Sequence, residues 1–239
     1  NFGPSLGVTG IINSKPEPGP GRTHEFREVS EMQRIKMTES VTGVILAGGR
    51  ATRMGGEDKG LVLLRDRPMI QWVLDRLSPQ VSKILISANR NIAQYAVFGH
   101  PIVADTAADF QGPLAGIAAA LAQADTPWLV SVPCDSPLIP LDLVGRLHDQ
   151  VVRGGARVGA AHDGQRLQPV FTLVHRDLLA DLVSYLQGGE RKIDRWLERH
   201  AFRSVDFSDR EEMFLNVNTP VDLQAAAAWL QKNETDSGG

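Results

Sequence analysis

Short β-rich runs alternate with segments of helical period along most of the chain, and that alternation restricts the fold more than any other feature. Strands are expected at Thr42–Leu46, Lys83–Ser87, Pro101–Val103 and Trp128–Val132, then at Arg157–Ala161, Val170–Val174, Arg203–Phe207 and near Leu215–Val217. Between them, Ile70, Val73, Leu74 and Leu77 recur at helical spacing, as do Leu143, Val144, Leu147 and Val151. Leu178, Leu179, Leu182, Val183 and Leu186 repeat the pattern, so each segment can lay one apolar stripe on a sheet. Strands separated by helices pair in parallel, because the chain must cross back over the sheet before it can form the next strand.

The fold class this implies is α/β: a single Rossmann-like three-layer domain with a mainly parallel central sheet and helices on both faces. A chain of 239 residues with 42% hydrophobic composition can bury such a core. Residues 1–36 are rich in Pro and Gly, including Pro16, Pro18, Gly19, Pro20 and Gly21, without a sustained apolar period. They are expected to be a disordered leader or an artificial extension, with Met37 as the natural start. Residues 37–232 form the expected domain, and 233–239 a frayed tail.

Net charge is −3 and the pI is near 6.1, so no global positive field is available to hold nucleic acid or an anionic membrane. An anionic ligand needs a local site. The single cysteine, Cys134, excludes an intrachain disulfide and a multi-thiolate zinc cluster, which fits a reducing compartment and a cytoplasmic location. No apolar run approaches the roughly 18 to 20 residues that span a bilayer. The histidines show no metal-ligand spacing. A monomer that engages neither nucleic acid nor membrane is the expectation.

The loop Leu46-Ala47-Gly48-Gly49-Arg50-Ala51-Thr52-Arg53-Met54-Gly55-Gly56-Glu57-Asp58-Lys59-Gly60 directly follows the first strand. Its glycines let the backbone approach a ligand closely. In an open α/β sheet, the carboxyl end of a central strand is where ligands bind, and amide N–H groups joined by Arg53 and Lys59 would form a cradle for a triphosphate there. The loop fails the Walker A pattern, because its lysine precedes the final glycine and no Ser or Thr follows. It also lacks G-x-G-x-x-G.

Leu46-Ala47-Gly48-Gly49, Arg53-Met54-Gly55-Gly56 and Asp58-Lys59-Gly60 resemble the signature of nucleotidyltransferases that join a nucleoside triphosphate to a phosphate acceptor. In this form they are most similar to the molybdenum cofactor guanylyltransferases. Several later segments extend the resemblance to about Thr42–Trp229. These are Gly112-Pro113-Leu114-Ala115-Gly116, Gln168-Pro169-Val170-Phe171, Gly188-Gly189-Glu190-Arg191-Lys192, Val205-Asp206-Phe207-Ser208-Asp209 and Asn216-Val217-Asn218-Thr219-Pro220. The resemblance implies transfer of GMP from GTP to the phosphate of molybdenum-loaded molybdopterin, with release of pyrophosphate. It also implies Mg²⁺ as cofactor, with molybdoenzyme chaperones or other cofactor-biosynthesis proteins as partners. A cytidylyltransferase and a sugar-phosphate nucleotidyltransferase share the outline, and a non-catalytic nucleotide sensor is the alternative from another class.

Candidate site residues follow. Asp135 ends the strand Trp128–Val132 beside the expected phosphate site, where a carboxylate can hold Mg²⁺ together with phosphate oxygens. Cys134 beside it reads as a small buried hydrophobe. Arg53, Lys59 and Asp135 are the expected catalytic groups. For GTP, the resemblance adds Leu46, Ala47, Gly48, Gly49, Ser87, Asn89 and Asp105 to these three. Ser87 stands where the family commonly has Asn, and an acid such as Asp105 can accept from the N1–H and N2–H₂ donors of guanine. Arg191 and Lys192 supply cations for the molybdopterin phosphate, and Asn216 and Asn218 supply amides for the pterin edge. Thr219-Pro220 with Asp222 is a helix start.

Overall fold

In a computed structural model of the chain, residues 41–47, 58–104 and 112–235 are described. Seven strands form the main sheet in the order β5-β4-β1-β6-β8-β7-β9. They are β1 (Val41–Leu46), β4 (Lys83–Ser87), β5 (Ile102–Val103), β6 (Trp128–Pro133), β7 (Val158–His162), β8 (Leu167–His175) and β9 (Arg203–Asp206). A separate two-stranded hairpin joins β2 (Leu63–Leu64) to β3 (Arg67–Pro68).

The pairings β5–β4, β4–β1, β1–β6 and β7–β9 are parallel. Only β8 runs antiparallel to its neighbours, β6 and β7, so the other six strands of this sheet share one direction. The chain moves from β1 outward through β4 to β5, then returns to place β6 on the opposite side of β1. This reversal opens a crevice at the carboxyl ends of β1 and β6, the position where open α/β sheets bind ligands.

Helices cover both faces. One apolar layer packs α1 (Met69–Leu77), Tyr95 of α2 (Ile92–Ala96) and α4 (Leu143–Arg153) on Val41, Ile45, Ile84, Ile86, Val130 and Val132. The other packs α3 (Pro113–Gln123), α5 (Leu179–Gln187) and α6 (Ile193–Glu198) on Val44, Leu85, Val103, Leu129 and Val174. Neighbouring residues of β1 and β4 fall in opposite layers because side chains alternate across a sheet. A smaller core beneath α7 (Pro220–Thr235) joins Leu64, Met69, Leu138, Val217, Ala226 and Leu230.

The expected α/β class, mainly parallel sheet and two helical layers are all present. Three details differ from the sequence reading. β8 begins at Leu167, three residues before the expected Val170. No strand forms at Leu215–Val217; a 3₁₀ segment, Ser208–Phe214, leads into irregular chain that makes one backbone bond from Val217 N to Asp135 O (2.8 Å). The edge next to β7 is already taken by β9. Lastly, α7 continues to Thr235, into the segment expected as a tail. Among the described residues, no helix is long and apolar enough to cross a membrane.

Candidate active site

The carboxyl ends of three adjacent strands meet at one point. Cys134 N, just past β6, donates to Leu46 O (3.1 Å), and Ala47 N, just past β1, donates to Ser87 O (2.8 Å) at the end of β4. These bonds extend the ladders beyond the strands and set Leu46, Ala47, Ser87 and Asp135 side by side. The first turn of α3 closes over them. A Cβ on Gly116 would lie 2.5 Å from Ser87 Oγ and 2.8 Å from the Leu46 side chain, so only glycine lets this helix sit so low on the strand ends. The Gly112–Gly116 segment is thereby used for helix-on-sheet packing, and buried Ser87 faces that helix.

Lys59 and Asp135 are in direct contact. The ammonium lies 2.9 Å from Asp135 Oδ2, and both side chains are mostly buried, at 23% and 15% exposure. The same ammonium donates to Asn218 Oδ1. Asn218 Nδ2 donates to Asn216 O (3.2 Å), and Ser136 Oγ donates to Asn216 Oδ1 (2.6 Å). Lys59, Asp135, Ser136, Asn216 and Asn218 therefore form one connected cluster, although they lie far apart in sequence. The helix start at Thr219 anchors it: Asp222 Oδ2 accepts from Asn218 N (2.9 Å) and Thr219 N (2.8 Å), while Asp222 N donates to Thr219 Oγ1 (3.2 Å). This reciprocal cap fixes the backbone of Asn218. The capping amides hold the Asp222 carboxyl below its usual range.

Asp58 faces away from this cluster. Its carboxylate accepts from Tyr95 Oη and from Gly60 N (3.3 Å), and its other oxygen accepts from Asn91 Nδ2 (3.0 Å). Tyr95 is fully buried, and burial above all raises its phenol well above the ordinary range, so it remains a donor. Nothing in the sequence marked Tyr95 as part of the site; it stands in a short, mostly apolar helical run, Ile92–Phe98, where an aromatic residue reads as core. Cys134 is buried as expected, and burial, followed by the charges of Asp135 and Asp58, pushes its thiol far up. A protonated, enclosed thiol is a packing group and not a nucleophile.

The other expected residues are placed less centrally. Asn89 lies exposed just beyond β4. Arg191 and Lys192 occupy the link between α5 and α6, where Arg191 Nη1 donates to Leu186 O (2.7 Å) and Glu190 O (2.6 Å). The guanidinium thus closes the carbonyl end of α5, a recognised use of a C-terminal cation. Lys192 is exposed, and its backbone carbonyl accepts from Tyr185 Oη (3.0 Å). Because β8 runs antiparallel, it ends beside the start of β6, and α5 begins from that opposite edge of the sheet. Gly48, Gly49, Arg53 and Asp105 lie outside the described residues.

Among the described residues, no group of three or more His, Cys, Asp or Glu could hold a metal ion alone. Asp135 is nonetheless suited to a hard divalent cation. Its hard oxygen already holds a cationic group, and phosphate oxygens could supply the donors that the protein does not. Asp58 is less suited, because protein donors occupy both of its oxygens.

Comparison with known proteins agrees with this geometry. Residues 43–204 match the family described as the MobA-like NTP transferase domain. A molybdenum cofactor guanylyltransferase of Shewanella woodyi is 46% identical over 196 residues, covering 82% of this chain and 100% of that protein. One from Ralstonia nicotianae is 47% identical over 199 residues, covering 80% and 97%. Among solved structures, the molybdopterin-guanine dinucleotide biosynthesis protein A of Archaeoglobus fulgidus superposes with a TM-score of 0.68 at 22% identity, over 80% of this chain and 99% of that one. That likeness supports the fold, and the two closer relatives decide the branch. The chain belongs to the MobA-like NTP transferase family and, within it, to the molybdenum cofactor guanylyltransferases.

Proposed function

We propose that the chain transfers the GMP part of GTP to the terminal phosphate of molybdenum-loaded molybdopterin, forming the guanine dinucleotide cofactor. The observation that carries this reading is the Lys59–Asp135 pair at the crevice between β1 and β6, joined through Asn218 to a second set of polar residues. A lysine–aspartate pair suited to phosphate is thus bonded to the amides of Asn216 and Asn218, which are suited to the acceptor.

In the reaction, an oxygen of the acceptor phosphate attacks the α-phosphorus of GTP. A new P–O bond forms as the bond to the β-phosphate oxygen breaks, and pyrophosphate leaves with the electron pair. The acceptor is already ionised near neutral pH, so no strong base is required. The chain's task is to bring two anions into line and to offset the charge between them. Lys59 provides an ammonium at the strand ends, and Arg53 is proposed to add a second cation from the loop. Asp135 would hold Mg²⁺, which supplies electrostatic stabilisation at the phosphates. Asp105 is proposed to read guanine, and Arg191, Lys192, Asn216 and Asn218 to receive molybdopterin.

Pyrophosphate release with GTP, CTP and ATP, each with and without molybdenum-loaded molybdopterin, tests the reading. Release should require both GTP and the pterin. Faster turnover with CTP, or with a sugar phosphate as acceptor, would reassign the substrate, and no release under any pairing would point to a nucleotide sensor.

A further inference from the structure

The Asp58-Lys59-Gly60 triplet contains two residues that the transfer chemistry leaves unexplained. The donors seen on Asp58 are neutral, and Gly60 contributes no side chain. Both act on the backbone that carries Lys59. Asp58 caps the 3₁₀ turn Lys59–Leu61 by accepting from Gly60 N, and its carboxylate is tied to α2 by the Tyr95 hydroxyl and by Asn91 Nδ2. Asn91 adopts a left-handed conformation (φ 51°), which Asn tolerates better than most residues, and so starts α2 within reach of Asp58. On the other side of Lys59, a Cβ on Gly60 would lie 2.6 Å from Tyr95 Oη and 3.3 Å from both Cβ and Sγ of Cys134. The triplet is wedged between α2 and the end of β6.

We propose that Asp58 and Tyr95 are positioning residues that fix the root of Lys59, so that its ammonium is delivered to the nucleotide phosphates. The inference rests on the reading of Lys59 as a phosphate ligand. A lysine has a long, rotamer-rich stem, and a charge on such a stem is held in place only if its root is fixed. At the tip, Asp135 and Asn218 hold the ammonium in the free protein. Once the ammonium moves to phosphate, those contacts loosen and the root alone limits where it can go. The Tyr95 hydroxyl suits this task because it is fully buried and remains a donor to Asp58.

A double-mutant cycle tests the proposal. Two quantities are read: GTP affinity by calorimetry in EDTA, and kcat/KM for pyrophosphate release with GTP and molybdenum-loaded molybdopterin. Tyr95→Phe fills the same space without the hydroxyl. It should weaken GTP about 5-fold and lower kcat/KM about 10-fold in the otherwise native protein, yet change neither by more than about 1.5-fold in a Lys59→Met background. Asp58→Asn keeps an acceptor for the hydroxyl and for Gly60 N–H, and should retain most of the affinity that Asp58→Ala loses. This pair gives an independent route if Tyr95→Phe folds poorly. Equal losses from Tyr95→Phe with and without Lys59 would overturn the proposal, as would native affinity in both Tyr95→Phe and Asp58→Ala while Lys59→Met binds weakly. If Lys59→Met itself binds GTP and turns over normally, the reading of Lys59 as a phosphate ligand fails, and the proposal fails with it.

Discussion

Around Lys59 the polar side chains are held from both ends, whereas at the link between α5 and α6 the cations hang from a loop. Lys59 has its root wedged under Tyr95 and its tip on Asp135 and Asn218, and the groups around it are mostly buried. Arg191, in the link, closes the end of α5, and Lys192 is exposed just before α6. The contrast fits the proposed chemistry. The nucleotide side must place charge at a reacting phosphorus within a few tenths of an ångström, while a cation for the acceptor's phosphate needs mainly to attract and retain it.

The largest test of this contrast is Asp135→Asn, which keeps the shape of the side chain and removes the charge expected to recruit Mg²⁺. Turnover should fall by about 10²-fold or more, on the scale of losing one preorganised electrostatic group. Raising Mg²⁺ should restore part of it. Metal-free GTP affinity should not fall and should rise slightly, because the substitution removes a carboxylate that repels the triphosphate and releases Lys59 from its charged partner. Near-native turnover with unchanged Mg²⁺ dependence would transfer the ion to another carboxylate, Asp105 first.

Lys59→Ala comes next. Loss of the ammonium should weaken GTP and lower turnover together, each by about 10-fold, since a charge-assisted contact to phosphate acts in both ground and transition states. Native kinetics from the folded variant would remove the loop from the mechanism.

Asn218→Ala probes whether the two sides are independent. Asn218 was expected from the sequence to face the pterin, yet in this structure its amide oxygen accepts from Lys59 and its nitrogen donates to Asn216 O. Removing it should raise KM for both substrates by about 3- to 5-fold, a mid-range loss of one hydrogen bond to a charged group. An effect confined to molybdopterin would separate the two sides; an effect confined to GTP would place Asn218 wholly with the nucleotide.

These residues also mark the limits of sequence reading. Lys59 and Asp135 were legible because a Gly-rich loop and an acid each follow a strand, and strand ends gather at one edge of a parallel sheet. The bond between Lys59 and Asn218 was not, since it joins chain segments whose meeting depends on how α7 and the 3₁₀ segment pack. The direction of β8 was hidden for a similar reason: alternation identifies a strand but does not say which way its neighbour runs. Leu215–Val217 reads as strand by composition, but Leu215 and Val217 serve the small core under α7, while the preceding Phe214 packs on Phe171 and Phe207. Arg191 was legible as a cation, but its bond to Leu186 O needed the helix end to be seen.

The smallest expected effect is that of Lys192→Ala, and it bears most directly on the comparison. Lys192 is exposed, so the substitution should leave the melting temperature within about a degree or two, as surface changes away from special contacts usually do. If its ammonium attracts the acceptor's phosphate through solvent, KM for molybdopterin should rise by about 2- to 4-fold at low salt, and the difference should fade near 0.5 M salt as screening shortens the reach of the charge. GTP affinity and kcat at saturating pterin should stay at native values, because Lys192 stands on a different element from the Lys59 cluster. A drop in kcat that persists in high salt would mean that the loop cation is held against the reacting phosphate as firmly as Lys59, and the two sides of the site would then be built alike.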